Sequence, residues 1–61
     1  MLDGYDEVDR QRITWLMSRL VEGQVARKEI PRTEEAIRAA MPQALKNARA
    51  AINAANEFIS G

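Results

Sequence analysis

From Leu45 to the end of the chain, Leu45, Ala48, Ile52, Ala55 and Ile59 succeed one another at steps of three and four residues. That is the repeat of one face of an α-helix, and a strand cannot carry it, because strand side chains change face at every residue. Ala44, Ala51 and Phe58 lie on the flank of this stripe, and its small alanines would let a second helix approach closely. No segment alternates with a period of two, so the chain is expected to be all-α.

Two prolines and a threonine divide the rest. Ile30-Pro31-Arg32 forms a break, since proline disfavours helical geometry in the residue before it and has no amide hydrogen to donate. Thr33 has the side chain of an N-cap and is followed by Glu34 and Glu35 in a first turn. Ala36, Ile37, Ala40 and Met41 give this short helix an apolar side. Pro42 is placed to open the next helix, where its missing amide hydrogen does no harm. Ile37 and Met41 also extend the later stripe, so the two segments could instead run together through a kink. Upstream, Ile13, Leu16, Met17, Leu20 and Gln24 share one face of a long first helix, with Asp6, Glu7 and Asp9 where its free amides favour negative charge. Gly23 should cost that helix about 1 kcal/mol relative to alanine, but the residues from Val25 to Lys28 still read as helical. The expectation is a single domain over residues 1–61, a small three-helix bundle with helices at about 6–28, 33–41 and 42–59 and a flexible lead at 1–5. An antiparallel helical dimer satisfies the same apolar faces.

A chain of 61 residues buries only roughly 60% of the surface it exposes when unfolded. It has no cysteine and no histidine, so there are no disulfide staples and carboxylates are the only plausible metal ligands. Neither cofactor nor metal is expected. Small unstapled cores often find their missing stability in a partner or a second copy. Nine basic residues balance nine acidic ones, whereas nucleic-acid binders usually carry a positive excess. The balance hides an asymmetry. Asp3, Asp6, Glu7 and Asp9 make the first nine residues net −4, while residues 10–32 are net +4. No run approaches the 18 or so apolar residues of a membrane span, and the acidic start does not resemble a secretion signal. A soluble, cytoplasmic protein is expected.

Catalysis finds little to work with. There is no histidine to serve as a base near neutral pH, and Ser18 and Ser60 have no activating partner in view. The three glycines are too far apart for a phosphate loop. Nucleic-acid binding has a candidate in a helix-turn-helix, with Thr33–Met41 supporting a reading helix that begins at Pro42 and presents Gln43, Lys46, Asn47 and Arg49. The linker at Ala40-Met41-Pro42 is too short and lacks the usual glycine. Such a regulator would be of phage or plasmid type. Protein binding has a sharper candidate. Val8, Arg12, Trp15 and Arg19 follow at four, three and four residues, away from the Ile13–Leu16–Leu20 stripe. Tryptophan and arginine are the residues favoured at interface hot spots. The competing assignment is a core-edge tryptophan covered by arginine stems. Self-association through Leu45, Ala48, Ile52, Ala55 and Ile59 is the third course.

The middle of the chain resembles the theta subunit of bacterial DNA polymerase III, a small accessory protein that binds the proofreading exonuclease subunit. Val25-Ala26, Lys28-Glu29, Pro31, Glu35-Ala36-Ile37, Pro42 and Leu45-Lys46 carry the likeness, which spans about a third of the sequence. The chain departs from the family in having only Ile30 between Lys28-Glu29 and Pro31, and in having Ala48 and Arg49 where the family has aromatic residues. The resemblance implies a three-helix protein without activity of its own, whose role is to stabilise an exonuclease partner by covering an apolar surface.

Overall fold

The computed structural model describes residues 4–60, and among them the chain forms two helices, α1 (Glu7–Ala26) and α2 (Glu34–Ser60), with no strand. The all-α class agrees with the sequence; the three-helix bundle does not. The segments expected at 33–41 and 42–59 are one helix with Pro42 inside it. Pro42 removes one amide donor, which leaves the carbonyl of Arg38 without its helical partner. Both residues are exposed, so water can satisfy that carbonyl. Strong helix formers stand on either side, Ala39, Ala40 and Met41 before and Ala44 and Leu45 after. The apolar seam from Ile37 through Met41 and Ala44 to Ala48 is therefore continuous, and packing along it outweighs the local break.

Both helix starts are capped, α2 by Thr33 as its sequence suggests and α1 by Asp6, which stands just before the first turn rather than within it. The Asp6 carboxylate accepts from the Asp9 amide at 2.8 Å, and the Thr33 hydroxyl accepts from the Ala36 amide at 3.2 Å. Helix α1 continues past Gly23 and stops at Ala26, two residues short of the expected end. It ends in a Schellman turn, with the Lys28 amide donating to the Val25 carbonyl at 3.0 Å and the Glu29 amide to the Gln24 carbonyl at 2.8 Å. Lys28 takes the left-handed conformation of that turn, φ 61°. A tight turn, Thr33 amide to Pro31 carbonyl, then sets the direction of α2.

The helices run antiparallel. Ile13, Val21 and Val25 of α1 and Ala44 and Ala48 of α2 are buried, and Leu16, Met17, Leu20, Ile37, Met41, Leu45 and Ile52 are only half-buried. Two helices form a single layer, which covers the seam but not its flanks. Of the lead expected to be flexible, residues 1–3 lie outside the described residues. Tyr5 rests on α2, where its hydroxyl donates to Asn53 Oδ1 at 3.4 Å. Beyond that contact no described helix lies opposite α2, and Phe58 and Ile59 are 89% and 81% exposed.

Candidate docking face

The first candidate surface lies on α1, on the side away from α2. At 100° per residue, Val8, Arg12, Trp15 and Arg19 fall within an arc of about 60°, while Trp15 stands about 200° from Ile13 at the centre of the seam. The burial pattern agrees with that geometry. Ile13 has no exposed surface, whereas Trp15 is 63% and Val8 53% exposed, and Arg12 and Arg19 are both exposed. The Arg19 guanidinium sits over the indole, 5.5 Å from the ring centroid, a separation at which the cation is attracted to the ring face. Trp15 also lines a shallow hollow with Gln11 and Thr14. The helix beneath is locally well satisfied. The Thr14 and Ser18 hydroxyls donate to the carbonyls of Arg10 and Thr14 at 2.9 and 3.1 Å, so this polar flank has no hydroxyl in want of a partner.

The four positions considered for nucleic acid do not form one reading surface. Gln43 donates to Asn47 Oδ1 at 3.0 Å. Lys46 is exposed, and Arg49 turns to the N-terminal end of the chain, where its Nε donates to the Tyr5 hydroxyl at 3.4 Å. The supporting helix and the turn assumed for that motif are absent, because Thr33–Met41 and the residues after Pro42 belong to one uninterrupted element.

Compared with protein-family models, with curated proteins and with solved structures, the chain gives no match. Its own geometry must therefore carry the functional assignment. No described helix is long and apolar enough to cross a membrane.

The stripe Leu45, Ala48, Ile52, Ala55 and Ile59 is divided by the fold. Ala48 is fully buried against α1, Leu45 and Ile52 are half-buried, and Ala55 and Ile59 project beyond the start of α1. Two features were not read from the sequence. Val21 and Val25 are buried more deeply than Leu16 or Leu20, because α2 and the connecting loop close over that side of α1; Val25 lines a hollow with Ile30 and Pro31. The steps of eight and twelve residues from Ile13 to these valines were the available signal. The second feature is the Tyr5–Arg49 contact, for which the sequence offered no signal. The Arg49 guanidinium lies 5.8 Å from the Tyr5 ring centroid, and its hydrogen bond to the hydroxyl lowers the tyrosine pKa below its usual value.

Proposed function

We propose that this protein is a non-catalytic accessory module that binds another protein through Val8, Arg12, Trp15 and Arg19. The observation that carries the proposal is the exposure of Trp15, the chain's sole tryptophan, on the side of α1 opposite the seam. A large aromatic side chain left 63% exposed adds little to the hairpin beyond its contact with Arg19, but it can bury most of its remaining surface against a partner. Arg12 and Arg19 beside it offer planar donors to carboxylates at the rim of such an interface. The most specific form of this role is a theta-like subunit that supports the proofreading exonuclease of a bacterial or phage-encoded replicative polymerase in the cytoplasm. That partner is suggested by the resemblance over Val25–Lys46, which comprises the end of α1, the loop and the first half of α2.

The test is calorimetric titration of a purified bacterial exonuclease subunit with the wild type and with Trp15→Ala, each checked for helicity by circular dichroism. Binding by the wild type and a loss of about 2 kcal/mol or more in the variant, on the scale of an interface hot spot, is the expected outcome. Equal affinity of the two proteins would remove Trp15 from the docking face. Failure of the wild type to bind would exclude the theta-like role.

A further inference from the structure

We infer that Tyr5 is a clasp that closes the open end of the hairpin and sets whether that end is docked or released. The connecting loop joins the helices at the other end. The Tyr5 hydroxyl donates to Asn53 Oδ1 and accepts from Arg49 Nε, both at 3.4 Å, and the Arg49 guanidinium lies 5.8 Å from the ring centroid. Among the described residues no other side-chain hydrogen bond or ion pair ties the two arms together. All the rest join residues no more than four positions apart. The seam itself is apolar, with Ile13, Val21, Val25, Ala44 and Ala48 buried, and apolar burial has no direction. The directional side-chain contact between the described parts of the two arms therefore converges on one phenolic oxygen.

The clasp sits where little else holds the arms. On α1 the buried seam stops at Ile13 and on α2 at Ala48, and no described residue between these positions and the open end is buried. Asp6, the neighbour of Tyr5, caps α1 by accepting from the Asp9 amide. The residue that starts α1 and the residue that ties this start to α2 thus move as one. On the other arm Arg49 and Asn53 are one turn apart and bracket the half-buried Ile52, and every described residue from Asn53 onward is exposed. A region with so few buried apolar contacts opens locally at less cost than the whole fold. At 3.4 Å both bonds are long, which suits a contact made and broken within the folded state. Release frees the first two turns of α1, Val8 and Arg12 included, and α2 from Arg49 onward. Tyr5 is then a positioning residue for the docking face, a consequence that rests on the docking role above, whereas the clasp does not.

Hydrogen exchange of the full chain, followed amide by amide by NMR in the wild type and in Tyr5→Phe, tests the clasp, with helicity checked by circular dichroism. The variant keeps the ring beside Arg49 and loses only the hydroxyl. Amides of the open end, Arg10 to Ile13 and Arg49 to Asn53, should exchange roughly two- to tenfold faster, the worth of one or two such bonds. Amides of the loop end, Val21 to Val25 and Ile37 to Met41, should keep their wild-type rates. Asn53→Ala should give the same pattern, and combining it with Tyr5→Phe should add nothing, because both act on one contact. Unchanged rates at the open end overturn the proposal. So does an equal rise in every amide, or a loss of helicity throughout, since either would mean that the open end does not open separately. The readout needs no partner, so failure of the docking role leaves it intact.

Discussion

Lys28 occupies a backbone conformation that suits glycine, φ 61°, and it does so because the Schellman turn at the end of α1 requires it. Left-handed geometry costs a residue with a Cβ about 1–2 kcal/mol, which glycine escapes at some expense in unfolded-chain entropy. Lys28→Gly should therefore stabilise the fold by about 1 kcal/mol, read as a higher urea midpoint with an unchanged slope. A sequence reading that kept the helix going to Lys28 could not see this, since neither Lys28 nor Glu29 is a usual stop signal. The Thr33 cap was legible, because threonine is among the few side chains able to accept a bond from the first turn of a helix, whereas Asp6, read as part of the first turn of α1, is its cap. Tyr5 was not. Its ties are to Arg49 and Asn53, and contacts between residues 44 and 48 apart leave no local trace. The folded-state pKa of Tyr5 lies below its usual value near 10, so the folded chain releases this proton first as pH rises. The stabilisation from that contact is present in full above the unfolded pKa and is lost as pH falls through the folded one. Titration of phenolate absorbance should place the midpoint of this sole tyrosine below that of the unfolded chain, and Arg49→Gln should move it back up.

At the scale of the helix, the main misreading came from treating Pro42 as a beginning. Proline at the first helical position and proline tolerated inside a helix have the same sequence signature when good helix formers stand on both sides. What distinguishes them here is the unbroken line of Ile37, Met41, Ala44 and Ala48 along the seam, which the spacing already contained. If α2 is one helix, Pro42→Ala restores the missing hydrogen bond to Arg38 and should raise stability by about 2–3 kcal/mol. If Pro42 opened a separate helix, the exchange would be close to neutral. Thermal unfolding of the variant separates these outcomes. The face of α1 that carries Trp15 was legible for the opposite reason: steps of four, three and four define a side of a helix wherever its neighbours lie. Which side of α1 turned inward was harder to read: the steps of eight and twelve from Ile13 mark Val21 and Val25, but their burial is completed by α2 and the connecting loop.

In the whole molecule, stability and recognition occupy opposite sides of the same helix, and two truncations should separate them. Ile13→Ala empties the one fully buried large side chain among the described residues and should cost about 2–5 kcal/mol, enough to unfold much of so small a protein. Trp15→Ala removes a side chain already in solvent and should change stability by less than about 0.5 kcal/mol. Chemical denaturation of the two variants under identical conditions gives the comparison directly. The hairpin also has arms of unequal length, 20 residues in α1 against 27 in α2. Where α2 runs on alone, its backbone is held by helical hydrogen bonds without tertiary cover, so its amides should exchange with deuterium by local fraying rather than by global unfolding. The chain therefore carries a gradient of protection along one continuous helix, steepest just past Asn53, and the final turns register any surface that settles on them before the rest of the molecule responds.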